Sequence, residues 1–191
     1  MALKTVTLGS RDAWRGLLSK SGKRELGKEH LEFAQSRMEL SKFSVLVGFR
    51  VERLFKGGAI LRMKVQEHHR QVHRVVHGGV IAALADTAAA IAAYTVSAQG
   101  VELATIELKI NYLQPIAEGI VEAEGKVLRV GRNFVVVECD VRNGKTELAA
   151  KALMTFGVAG GHTPKLERDT RTEAHAEHLN PARKAPTKRP R

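Results

Sequence analysis

The residues of this chain best suited to carbonyl chemistry are His77-Gly78-Gly79 and, seven positions after the second glycine, Asp86. The run from Gly79 to Ala98 is alanine-rich and proline-free, so it reads as a helix of about five turns. A helix start leaves backbone N–H groups free and carries a positive partial charge. Paired glycines let a substrate oxygen approach those amides. Such amides can hold the negative oxygen that forms when a carbonyl is attacked. The alternative is that Gly78 and Gly79 only make the turn and His77 caps it. Asp86 adds weight, because a carboxylate within a buried helix is costly without a role or a partner. Burial also raises a carboxyl pKa towards the range of a working base. Its structural alternative is a bond to a backbone amide or to Thr87. Gly79 and Asp86 fall on one helix face but about 10 Å apart along the axis. One carbonyl cannot touch both, so the spacing predicts a site shared between two subunits of a two-fold dimer.

Around that helix the pattern changes period. Residues 11 to 21 and 25 to 42 read as helices, the second with Leu26, Phe33, Met38 and Leu40 on a loose apolar stripe. Strand-like runs cover Ser44 to Phe55 and Ala59 to Glu67, joined by a turn at Lys56-Gly57-Gly58. After the long helix, runs at Leu103 to Leu113, Gly119 to Val130, Asn133 to Arg142 and Glu147 to Val158 read as four strands. In the first of these, Ile106, Leu108 and Ile110 alternate with Glu107, Lys109 and Asn111. Asn143-Gly144 is a hairpin signal. A hairpin, one buried helix and a meander imply an antiparallel sheet curled around that helix, an α+β fold. The helix is apolar nearly all round, but Asp86 within it and the amphipathic strands around it exclude a membrane span.

The chain has 191 residues, 31 Lys plus Arg against 20 Asp plus Glu, and a formal net charge of +11. Residues 1–42 and 159–191 each carry +4, so over half of the excess lies outside the part that reads as folded. The last stretch holds four of the five prolines and reads as a disordered basic tail. Its mixed signs weaken a nucleic-acid role, and 5% aromatics argues against a base-stacking surface. The single cysteine, Cys139, excludes a disulfide framework and fits a reducing compartment; in its strand it reads as packing. Met1 to Gly9 lacks the apolar core of a secretory signal, so the expected location is the cytoplasm. His68, His69, His73 and His77 share one loop, but no zinc spacing is present and no metal is expected. Phe43, Phe49 and Phe55 read as core.

HGGVIAALADT resembles the motif of hotdog-fold acyl-CoA thioesterases of the PaaI-like branch, within the 4-hydroxybenzoyl-CoA thioesterase superfamily. The resemblance extends over residues 43–158 and includes ATIELKINYLQP, the Val130-Gly131-Arg132 turn and the closing strand LAAKALMTFGV. It implies a hotdog domain at 43–158, an N-terminal helical extension at 1–42 and the tail at 159–191. It implies hydrolysis of a fatty or aryl acyl-CoA by a homodimer or homotetramer. No cofactor is implied, CoA being part of the substrate. Asp86 is implied as nucleophile or general base and an amide of Gly78 or Gly79 as the oxyanion donor, with Gly78 favoured. Gln71 stands where the family often has an Asn, and Thr105 where a Ser or Thr faces the water from the partner chain. Gly131, Arg132 and Asn133 are implied at the CoA phosphates. The segment Phe43 to Val47 is implied beside the acyl chain. The other readings are a non-catalytic acyl-CoA sensor on the same fold, a hotdog dehydratase, for which the Asp–His pairing is missing, and nucleic-acid binding through the basic ends.

Overall fold

The computed structural model describes residues 25–98, 101–144 and 147–159. The helix expected at 11 to 21 and the basic tail lie outside them. Two short helices, α1 (Lys28–Leu40) and α2 (Lys42–Val47), precede the hairpin β1 (Arg50–Phe55) and β2 (Gly58–Lys64). A 3₁₀ turn (Glu67–His69) leads to the long helix α3 (Gly78–Tyr94). Four strands follow: β3 (Glu102–Tyr112), β4 (Ile120–Val130), β5 (Phe134–Asn143) and β6 (Glu147–Ala159). They form one six-stranded sheet in the order β1-β2-β4-β5-β6-β3, with every pair antiparallel. The helix α3 therefore carries the chain across one face of the sheet, from β2 to the far edge at β3.

Alanine content sets how closely α3 approaches that face. Ala85, Ala88, Ala89 and Ala92 are fully buried against the sheet, with Leu84 and Ile81 beside them. The floor beneath them includes Leu61, Met63, Val121, Ala123, Val137 and Met154, all at most 1% exposed. Complete burial of each larger aliphatic among them contributes about 1.5–3 kcal/mol. Gly125 in β4 is the point of closest approach. A Cβ there would stand 2.7 Å from the Ala88 carbonyl oxygen and 3.0 Å from the Ala89 Cα. Both obstacles are backbone and cannot rotate away. Gly125→Ala should therefore lower stability by about 1–3 kcal/mol or more, the cost of overpacking a dense core. The readout is a lower thermal midpoint with helical circular dichroism retained, and an unchanged midpoint would mean that the helix stands further off the sheet.

Three sequence expectations change. The run from Ser44 to Phe55 is not one strand: residues 42–47 form α2, and the strand begins at Arg50. Ser41 caps this helix, its Oγ accepting from the Ser44 N–H at 3.2 Å, and Gly48 ends it at φ 70°. Its Val, Leu and Phe residues mimic a strand in composition, but a cap and a left-handed glycine bracket them. Phe43 is 53% exposed instead of core, meeting Phe49 edge-to-face at 6.1 Å. Ile106 does not join Leu108 and Ile110, because it is the extra residue of a β-bulge between Thr105 and Glu107 and is 67% exposed.

Nor is α3 buried all round. Gly79 is exposed, and Ala82, Ala83, Asp86 and Ala90 are half-buried, forming one stripe along its outer side. Cys139 is buried, as expected, and burial pushes its thiol pKa up, which leaves it a packing residue. Among the described residues no helix is long and apolar enough to cross a membrane.

Candidate active site

The start of α3 is held by its neighbours from both sides. His77 is the N-cap, and its Nδ1 accepts from the Gly79 N–H at 2.9 Å. The Tyr112 hydroxyl, arriving from β3, donates to the Gly78 carbonyl at 2.8 Å. These two bonds grip opposite ends of the Gly78–Gly79 peptide. The Gly79 amide is thereby used up. The preceding amide, that of Gly78, has no acceptor among the described residues. The geometry thus separates two glycines that the sequence leaves nearly equivalent. Space is tight at Gly78, where an added Cβ would lie 3.1 Å from the Tyr112 ring.

Gly78 opens into a cleft of about 370 Å³ lined by Gln71, Val76, Ile81, Tyr112, Pro115 and Ile116, among others. Its walls are largely apolar. Gln71 lies in a tight loop in which its N–H donates to the Val75 carbonyl at 2.8 Å and its carbonyl accepts from the Arg74 N–H at 2.9 Å. Its side chain is exposed at the cleft, on the same side as Gly78. His77 is tied back by its own N–H, which donates to the His69 carbonyl at 2.8 Å.

Asp86 lies eight residues further along α3, about 12 Å from Gly78 along the axis. Within one chain the two groups are not brought together. Asp86 is half-buried on the uncovered stripe. Its Oδ1 accepts from the Thr105 hydroxyl at 2.9 Å, while Oδ2 has no donor among the described residues. Burial pushes the Asp86 carboxyl above the ordinary carboxylate range, and the Thr105 hydroxyl pulls it part of the way back. Thr87 is otherwise engaged, donating to the Ala83 carbonyl at 2.7 Å. Thr105, implied to face the water from the partner chain, is bonded to Asp86 of its own chain and so belongs to whichever subunit supplies that carboxylate.

The bulge at Ile106 is what makes this possible. Thr105 and Tyr112 are seven positions apart, so in an unbroken strand they would face opposite ways. One extra residue reverses the parity, and both then face α3, one at Asp86 and one at Gly78. Tyr112 is the site residue that sequence reasoning misses, for this reason. A tyrosine at the end of a strand beside a Gly-Gly helix start is the available signal.

The third expected cluster, Gly131, Arg132 and Asn133, forms the β4–β5 turn. The Gly131 N–H donates to the Phe134 carbonyl at 2.8 Å, and the Asn133 carbonyl accepts from the Val158 N–H at 2.9 Å. Arg132 is exposed. Register puts this turn at the Thr105 end of the sheet, since Val135 pairs with Phe156, which pairs with Thr105.

Comparison with known proteins agrees with this architecture. The sequence pattern of the thioesterase superfamily matches residues 73–150. A Saccharolobus solfataricus protein that carries a provisional esterase name is 38% identical over 109 residues, which cover 57% of this chain and 77% of that one. The 1,4-dihydroxy-2-naphthoyl-CoA hydrolase of Listeria monocytogenes is 26% identical over 59% of this chain and 91% of its own. The structure of a Haemophilus influenzae thioesterase aligns with a TM-score of 0.65 and 25% identity, over 72% of this chain and 93% of that one. A long helix wrapped by an antiparallel sheet, headed by His-Gly-Gly, defines a hotdog-fold thioester hydrolase. The chain belongs to the thioesterase superfamily.

Proposed function

We propose that this protein hydrolyses acyl-CoA thioesters at a site shared by two copies of the chain. The Gly78 N–H carries the reading: an unused amide at the head of a helix, opening into an apolar cleft. It would donate to the thioester oxygen and stabilise the negative charge that develops there. The cleft walls would receive the acyl group, and the Gln71 amide would help orient the carbonyl or the water.

The base is Asp86 of the other copy. Its free Oδ2 takes a proton from water as the water attacks the carbonyl carbon; the thioester C–S bond then breaks to release the acid, and the leaving thiolate takes that proton from Asp86 and departs as CoA thiol. Support for a two-chain site is the stripe of small residues around Asp86, left half-uncovered beside the unpaired edge of β3. A two-fold pairing there would bring each Gly78 towards the partner's carboxylate. Arg132, with Asn133 and the Gly131 turn, would meet the CoA phosphates, which suit a guanidinium. The naphthoyl-CoA hydrolase among the relatives supports an aryl acyl-CoA as substrate, beside the fatty acyl-CoA that the resemblance also implies. Thiol release from short, long and aryl acyl-CoAs tests the reading. Turnover of at least one is expected, whereas tight binding of all without release would make the protein a sensor.

The carboxylate form of Asp86 is the active one, so kcat/KM should rise with pH through a value above that of an ordinary aspartate. Thr105→Val removes the bond that favours the charged form. Its rising limb should move to higher pH, as read from the pH profile of kcat/KM. An unmoved limb would separate Thr105 from the base.

A further inference from the structure

On the face of the sheet turned away from α3, a second cavity of about 550 Å³ lies between α2 and the β1–β2–β4 edge. Strand alternation separates it from the Asp86 side. Leu61, Met63, Val121 and Ala123 point into the core, so Arg62, Lys64, Ile120 and Glu122 point the other way. The cavity has three features that belong to one kind of ligand.

The first is unbalanced positive charge. Arg50 stands directly opposite Arg62 in the β1–β2 register, an arrangement that destabilises the pair. Arg62 is neutralised, donating to Glu52 at 2.8 Å and Glu122 at 2.9 Å. Arg50 and Lys64, diagonal neighbours on the same face, have no ion-pair partner among the described residues. Elsewhere on this face Lys151 meets Glu138 at 2.8 Å and Arg142 meets Asp140 at 3.0 Å, while Lys109 on β3 has no ion-pair partner among the described residues.

The second feature is His69, which lines the cavity and is 1% exposed. Its Nδ1 accepts from the Gln66 N–H at 3.0 Å, so the ring proton sits on Nε2. Burial and the neighbouring His68 push its pKa down, and the Val47 backbone pulls it part of the way back. The backbone of Val47 lies towards it, yet Nε2 forms no hydrogen bond of normal geometry. A buried donor without a well-formed hydrogen bond is costly. The third feature is an apolar wall. Val45, Leu46 and Ile120 are 58%, 70% and 51% exposed, and Ile120 stands opposite Lys64.

We propose that this cavity binds an organic carboxylate carrying a hydrocarbon group, its charge held by Arg50 and Lys64 and its chain laid against Val45, Leu46 and Ile120. The volume suits a small ligand. Val45 and Leu46 come from the segment that the resemblance places beside the acyl chain, but this cavity lies on the opposite face of the sheet from Asp86 and does not include the Gly78 cleft.

The test is titration of the full chain with octanoate, followed through the imidazole nitrogen signals of His69. A saturable shift of the Nε2 signal is expected. Octanol and inorganic phosphate at equal concentration should give none. Arg50→Ala combined with Lys64→Ala should weaken octanoate binding at least about tenfold, through the loss of two charge-assisted contacts. Both side chains are exposed, so this variant should fold and keep its thiol-release activity. Asp86→Asn should titrate like the parent. The proposal is overturned if octanoate leaves His69 unmoved, or if the shift survives the double substitution. It is equally overturned if phosphate reproduces the shift, or if the double variant changes the assembly state in sedimentation, which would make this face a contact between copies.

Discussion

Asp86→Asn is expected to cut kcat/KM near neutral pH by about a hundredfold or more, the scale of general-base catalysis, with the fold intact. The amide keeps the shape of the carboxylate and can still meet the Thr105 hydroxyl, but it cannot take a proton from water. The stability effect has a defined sign. Burial raises the Asp86 pKa in the folded chain, so the folded state holds this proton more tightly than the unfolded state. The associated stability is present below the unfolded-state pKa and is lost as pH rises through the folded one. Near neutrality the charged carboxylate therefore opposes folding, and Asn should leave the thermal midpoint unchanged or raise it. Parent-like turnover would remove Asp86 from the reaction. A midpoint well below the parent's would mean that it is structural.

The second large effect is expected from Gly78→Pro. Proline is well tolerated at the first position of a helix, where its missing N–H costs no intrahelical bond. The preceding residue, His77, already has φ −62° and ψ 134°, which a following proline accepts. The substitution thus deletes the proposed oxyanion donor and retains the helix. Loss of one such donor costs about 10²–10³ in kcat. Gly78→Ala supplies the control, since it adds the same Cβ beside Tyr112, 3.1 Å from the ring, and keeps the N–H. A large loss in the proline variant with a small one in the alanine variant assigns the effect to the amide. Equal losses would assign it to the displaced tyrosine, and two small losses would leave Gly78 without a catalytic role.

The long helix, its glycine start and Asp86 were legible in the sequence because each breaks a local pattern. A carboxylate among alanines and a Gly-Gly pair before a helix stand out without any tertiary knowledge. The choice between Gly78 and Gly79 was not legible, because it depends on where the His77 ring turns. Tyr112 was hidden by the bulge at Ile106, since a parity reversal inside a strand leaves no mark in an alternating pattern. The same bulge turns Thr105 towards Asp86 of its own chain, a pairing that strict alternation hides. The helix at residues 42–47 was obscured by its β-branched and aromatic composition, with Ser41 and Gly48 as the overlooked start and stop signals. The surplus cations on the outer face needed the register of β1 on β2, which sets Arg50 against Arg62 and is a property of pairing.

The most direct measurement of the shared site mixes the two crippled variants. Asp86→Asn and Gly78→Pro, each expected to be nearly inactive alone, are coexpressed with different tags and the mixed assemblies are isolated. In a two-fold dimer each mixed assembly has one site with both substitutions and one with neither. Thiol release from a good acyl-CoA substrate should therefore return to about half of the parent value per mixed dimer. Mixed assemblies as inactive as their parents would contradict the account, because Asp86 and Gly78 would then have to act within a single chain.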